Sequence, residues 1–264
     1  MTYAVGLATF HSYCATVVKT NNAANLNLGT SWVGGVAPAS ADIAQWDSTV
    51  TAANTVALGA SLEWLGLKLA NPGGAVTLSA GNTLTLDGSG ADLSAATQDL
   101  TLNCNLALGA GQTWSVAGGR NLTVAAGISG TALLTLPGPG TVTLSGTSYT
   151  LGTSAAGNNA LALNGGTLVM TAGTLTLAGN ASNNDGSHIQ GGATFSLTGG
   201  TVNSSYYTRL GATGTGTLTV SGGQFNNTGE ILFAFSGTGT GTLNWTATKT
   251  AAWLTLSATS GSTR

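Results

Sequence analysis

The chemically capable side chains of this chain are few and far apart. Its acids are Asp42, Asp47, Glu63, Asp87, Asp92, Asp99, Asp185 and Glu230, and its histidines are His11 and His188. Asp87, Asp92 and Asp99, with Arg120 about one repeat later, form the group best placed for paired-carboxylate attack on a polysaccharide. That chemistry needs a set separation between two carboxyls, one serving as acid and the other as base or nucleophile. Turn acids that accept hydrogen bonds from nearby backbone explain the same spacing more simply. The stretch Asp87-Gly88-Ser89-Gly90-Ala91-Asp92 offers hard oxygens separated by glycine, as calcium prefers. It lacks the EF-hand spacing and the repeated Gly-Gly-x-Gly-x-Asp pattern. Neither histidine has an acid and a nucleophile arranged around it in sequence, as a Ser-His-Asp triad would need. The reading is therefore a non-catalytic protein with no cofactor and no metal.

Two polar features are candidates for binding. Asn183-Asn184-Asp185-Gly186-Ser187-His188 is a polar insertion in a long repeat unit and reads as a surface loop. Tyr206 and Tyr207 adjoin in one turn, so at least one points outward and could stack on a sugar ring. Cys14 and Cys104 are either two separate thiols or one disulfide tying the N-terminal segment to the body; their spacing suits no zinc site.

Composition narrows the classes further. Charged residues make up 5% of the 264 residues, against about 25% in an ordinary domain. Hydrophobic residues make up 42%, so the chain can build a core. The surface must then be covered by hydroxyls and amides, and a net charge of −2 protects it poorly against association. Six scattered cations, Lys19, Lys68, Arg120, Arg209, Lys249 and Arg264, cannot track a phosphate backbone, which excludes a nucleic-acid partner. Gly, Thr and Asn break the apolar stretches well before they could span a membrane.

The elements that must position these groups are short strands. Val76-Thr77-Leu78, Leu84-Thr85-Leu86, Leu106-Ala107-Leu108, Trp114-Ser115-Val116, Leu122-Thr123-Val124 and Val142-Thr143-Leu144 alternate apolar and polar residues with the strand period. Starts at 76 and 84, and at 106, 114 and 122, lie 8 residues apart, with Gly, Asn, Ser or Pro in the gaps. A longer period links Thr167, Thr194, Thr217 and Thr242 at spacings of 27, 23 and 25. Val202 matches Phe225, and Leu210, Leu232 and Leu254 form a further column. Three strands in a unit of 22 to 27 residues is one coil of an all-β, right-handed, three-sided parallel β-helix. Propeller blades are longer, at roughly 40 to 50 residues. Residues 1–25 read as an N-terminal arm, 26–50 as a capping motif and 51–264 as the β-helix. Outward Thr-x-Thr pairs stacked on such a face resemble an ice-binding surface. The aligned units read Thr167/Val169, Thr194/Ser196, Thr217/Thr219 and Thr242/Asn244, so the paired column breaks and strand propensity is the simpler explanation.

Ser31-Trp32-Val33-Gly34-Gly35-Val36-Ala37-Pro38 with Ala41-Asp42-Ile43-Ala44-Gln45-Trp46-Asp47 resembles the capping motif of bacterial surface proteins that carry autotransporter-associated β-strand repeats. Leu210 to Gly223 resembles the repeat of autotransporter passengers and of exported proteins with sorting signals. The resemblance implies a β-helix, export to the cell surface or medium, and adhesion or matrix formation. The chain shows neither a translocator barrel nor a sorting helix of that family. The expected function is a structural protein, a subunit or passenger segment of a surface fibre, sheath or matrix. It would associate head to tail through ends marked by Trp32, Trp46, Trp253 and Leu254. The alternative is an adhesin or glycan-binding module using Asn183, Asn184, Asp185, His188, Tyr206 and Tyr207.

Overall fold

The computed structural model describes residues 14–152, 159–179, 185–234, 239–246 and 260–263. They form a parallel β-helix, and one short 3-10 turn at Gly29–Ser31 is the single helical element among them. Each coil visits three faces in turn. Face one stacks nine parallel strands: Asn54–Val56, Val76–Leu78, Leu100–Leu102, Asn121–Val124, Thr141–Leu144, Thr167–Met170, Ala193–Leu197, Thr215–Val220 and Thr240–Thr246. Face two ends at Gln224–Asn227. Face three begins with Thr16–Val18 and Ile43–Trp46 and ends at Ile231–Phe233. In Leu62–Leu69 and Thr83–Leu93 the chain passes from face two to face three within a single strand.

Side-chain alternation explains why the coils stack. Leu78, Leu102, Val124, Leu144, Met170 and Leu197 occupy one column in register and are all buried. A single coil exposes such residues on both rims, and the neighbouring coils cover them. The Thr167, Thr194, Thr217, Thr242 alignment holds residue for residue, as does Val202 with Phe225. The coil length varies more than the repeats suggest: Val124 to Leu144 takes 20 residues and Met170 to Leu197 takes 27.

The structure corrects several expectations. Leu210 pairs with Phe233, not with Leu232, which lies beside Arg209. A slip of one residue reverses which face a side chain serves. Leu254, the third member of that column, lies outside the described residues, as does Trp253. The proposed arm is partly sheet: Thr16–Val18 pairs in parallel with Ile43–Trp46. Trp32 and Trp46 do not stand exposed at that end. They are buried with Trp64 in an edge-to-face cluster whose ring centroids lie 5.6 to 6.3 Å apart. Trp32 donates to the Leu26 carbonyl at 2.7 Å and Trp46 to Asn54 Oδ1 at 3.0 Å, which fixes the cap over the first coils. The far end of face one is not open either. Ser260–Thr263 pairs antiparallel with Thr240–Thr246 and covers that edge.

One corner explains its glycines. Gly173, Gly200 and Gly223 precede successive strands of face two with φ of +78°, +83° and +74°. A Cβ on Gly200 would overlap the Gly173 carbonyl oxygen, and one on Gly223 the Gly200 carbonyl oxygen. Left-handed backbone and close coil stacking thus exclude other residues together. Gly200→Ala is expected to cost more than ~1 kcal/mol through backbone strain alone. Equilibrium urea unfolding measures it, and an unchanged midpoint would refute the account.

Candidate functional site

The acid group does not converge. Asp92 accepts from Ser94 Oγ at 2.6 Å and Ser94 N at 3.0 Å, and faces Lys68 at 3.8 Å. Burial raises its pKa, but the Ser94 hydrogen bonds and the Lys68 charge outweigh burial and hold the carboxyl below the usual range. Asp99 accepts from the Asn121 N–H at 3.0 Å and faces Arg120 at 3.8 Å. Asp42 ties Ala15 and Ala39 through their N–H groups, at 3.2 and 2.9 Å. These carboxylates hold turns and neighbouring coils. Among the described residues no three His, Cys, Asp or Glu side chains group as metal ligands would. Cys14 is exposed and Cys104 buried, and both are free thiols, so no disulfide ties the N-terminal segment down. Burial pushes the Cys104 thiol up to about 11, with a backbone hydrogen bond opposing it, which keeps it protonated and unreactive.

Chemically capable residues do gather on face three. Asn183 and Asn184 lie outside the described residues. Asp185–Ile189 is a strand rather than the expected surface loop, and it pairs with Tyr207–Leu210. In that register Asp185 lies opposite Tyr207 and His188 opposite Arg209. Tyr207 and Arg209 are half-buried and alternate with buried Thr208 and Leu210, so both belong to the outward side. Tyr206 sits at φ 66°, a conformation that costs a bulky residue of order 1–3 kcal/mol and holds only where the surroundings impose it. The Gly229 backbone packs against it, and its N–H donates to Thr228 Oγ1 at 3.4 Å.

Beneath this patch the apolar inner column gives way to polar side chains. Leu161 is followed in register by Ser187 and Thr208, both buried. Thr208 Oγ1 lies 3.3 Å from both Ser187 Oγ and Ser204 Oγ and donates to Asn227 Oδ1 at 3.0 Å. The Nδ2 of Asn227 is buried without a hydrogen-bond partner among the described residues, so the network is only partly satisfied. Sequence reasoning missed Thr208 and Ser204 and placed Ser187 in a surface loop; the interruption of an inward Leu column was the available signal.

It also missed Lys19, which is fully buried in the cap. Its Nζ donates to Thr20 O, Asn22 O and Asn22 Oδ1 at 3.0, 2.8 and 2.8 Å.

No helix among the described residues is long and apolar enough to cross a membrane. A family described as a viral BACON domain matches residues 215–264, the stretch that contains the antiparallel strand pair at the end of face one. No curated protein and no solved structure matches the chain.

Burial lowers the Lys19 pKa from 10.5 to about 8. The unfolded chain therefore keeps a proton that the native cap releases between those values. The Lys19 contribution to stability should rise with pH through that window and be lost again as pH falls through 8, while the Cys104 thiol, raised from 9.0 to about 11, opposes it above 9. Lys19→Met should abolish the rise between pH 8 and 9 in pH-resolved chemical unfolding; a rise there that survives the substitution would assign it elsewhere.

Proposed function

We propose that the chain is a non-catalytic extracellular structural protein, a subunit or passenger segment of a surface fibre, sheath or matrix, which associates head to tail. One observation carries the reading. The large hydrophobics that stand exposed among the described residues, Leu28 at 47%, Val33 at 54% and Val36 at 70%, all lie at the N-terminal end. Val33 and Val36, with Gly34 and the strand Thr16–Val18, line a groove of about 270 Å³. At the other end Gln224–Asn227 and Ile231–Phe233 have no further partner strand among the described residues. Phe225, Ile231 and Phe233 there are only partly buried. Joining the two ends is a heterologous contact, which extends without closing. Face one is already covered at its end, so the contact uses faces two and three. A low net charge offers little repulsion between copies. The likeness of residues 31–47 and 210–223 to surface proteins with autotransporter-associated β-strand repeats supports export and a cell-surface or secreted location.

A second reading, a glycan-binding surface module, is favoured by the register that sets Asp185 beside Tyr207 and His188 beside Arg209. Tyr207 would supply a stacking ring and Arg209 and His188 hydrogen-bond donors.

Sedimentation velocity and electron microscopy test the first reading. Wild-type chain should form end-to-end particles, and the Val33→Asp, Val36→Asp double variant should stay monomeric with an unchanged circular dichroism spectrum. Wild-type protein that remains dispersed at every concentration would end the proposal. For the second reading, a glycan array should show signals that Tyr207→Ala and Arg209→Ala remove. A silent array, or signals indifferent to both variants, would dismiss it.

A further inference from the structure

Face three has a bare strand edge at each end among the described residues. One is the outer edge of Thr16–Val18, which pairs inward with Ile43–Trp46. The other is the outer edge of Ile231–Phe233, which pairs inward with Tyr207–Leu210. In a parallel ladder the N–H and C=O of one residue point to the same side, and successive residues alternate sides. Ile43 N donates to Ala15 O and Lys19 N to Gln45 O, so residues 15, 17 and 19 serve the inner side, and Thr16 and Val18 face away. Val33 N already donates to Val18 O, which leaves the Thr16 N–H, the Thr16 C=O and the Val18 N–H on the bare edge. At the far end Thr208 N donates to Glu230 O and Ala234 N to Leu210 O. Residues 230, 232 and 234 therefore serve the inner side, and Ile231 and Phe233 face away.

These two sets of groups fit one another. With the strands parallel and Val17 opposite Phe233, the Thr16 N–H meets the Ile231 C=O, the Phe233 N–H meets the Thr16 C=O, and the Val18 N–H meets the Phe233 C=O. The side chains agree with that register. The inward column of face three starts at Val17, over Ala44 and Leu67, and ends with Ile189, Leu210 and Phe233. Val17 and Phe233, at its two ends, are only partly buried. Each would receive from the other the cover that a neighbouring coil gives elsewhere. A slip of one residue would bring groups already bonded on the inner side into the joint and turn Phe233 away from Val17. Neither strand carries a charge or a proline, the usual guards of a bare edge. The groove that Val33, Val36 and Thr16–Val18 line runs beside the receiving edge. Face one carries two further strands at the far end, Thr240–Thr246 and Ser260–Thr263, so the added copy tilts away from face one at this joint.

We propose that a second copy of the chain joins face three by parallel β-strand pairing, Thr16–Val18 of one copy continuing the sheet beyond Ile231–Phe233 of the other in the Val17–Phe233 register. The joint rests on head-to-tail association and specifies the edges, bonds and register that make it. The test is thiol cross-linking of the full chain with Cys14 replaced by serine, Cys104 being buried. Thr16 and Leu232 stand on the outward side beside Val17 and Phe233 and lie opposite each other in the joint. A short bismaleimide spans neighbouring strands about 4.8 Å apart. The Cys14→Ser, Thr16→Cys, Leu232→Cys chain should give a covalent ladder on denaturing gels, and the chains with Thr16→Cys or Leu232→Cys alone should not. Thr16→Pro gives an independent readout. It removes the outward N–H at the first residue of an edge strand and keeps the Ala15 carbonyl that Ile43 uses, so assembly in sedimentation velocity should weaken about tenfold with an unchanged circular dichroism spectrum. Three results would each overturn this joint and leave head-to-tail association standing: wild-type particles with no Thr16–Leu232 ladder, a ladder formed instead by Thr16→Cys with Thr228→Cys at the end of face two, or a Thr16→Pro chain that assembles like the wild type. A wild-type chain that never assembles would end both.

Discussion

A coil of this protein cannot bury its own interior. Each inward Leu, Val or Met needs a coil above and a coil below, so the whole molecule depends on stacking and on what closes the first coil. The Trp32, Trp46 and Trp64 cluster meets that need at one end. Each ring removes about 150–250 Å² from water. Two of the three indole N–H groups find oxygens within the cap. Trp64 Nε1 finds none, although its ring lies edge-to-face with Trp32, an arrangement suited to a weak N–H to ring contact.

Lys19 belongs to the same construction. Its ammonium crosses the cap to reach oxygens of Thr20 and Asn22. Asn22 O in turn accepts from Asn54 Nδ2, and Asn54 accepts from Trp46. The polar groups that a helix end would leave bare are thereby joined to the first strand of face one. A buried cation of this kind is a cost as well as a tie, because desolvation opposes its charge while three acceptors favour it.

The strand period and the coil period were legible because alternation and turn residues repeat along the sequence. The register of Thr167, Thr194, Thr217 and Thr242 could be read directly. The misplacement of Leu232 shows where such reading fails: leucine was matched with leucine, although Val202 to Leu210 and Phe225 to Phe233 share the same offset of eight. Position relative to the preceding strand carried the information and residue identity did not. The candidate sites were harder. A run such as Asn183 to His188 reads as loop because it is polar, yet Asp185–Ile189 forms a strand whose buried Ser187 is satisfied by Thr208 in the next coil. That pairing involves residues about one coil apart, and no local pattern marks it. Lys19 was hidden for the same reason, since its partners are mostly backbone carbonyls.

The shortness of the links between stacked strands has a consequence for how the molecule is made. Pairing partners on face one lie only 20 to 27 residues apart in the coils from Val124 onward. Each coil thus needs little beyond the coil preceding it, and low sequence separation favours rapid closure. Once residues 14–69 have closed the tryptophan cluster, a finished edge awaits every later coil. Assembly can then run in one direction, from the amino terminus onward, adding one turn at a time as the chain emerges from a ribosome.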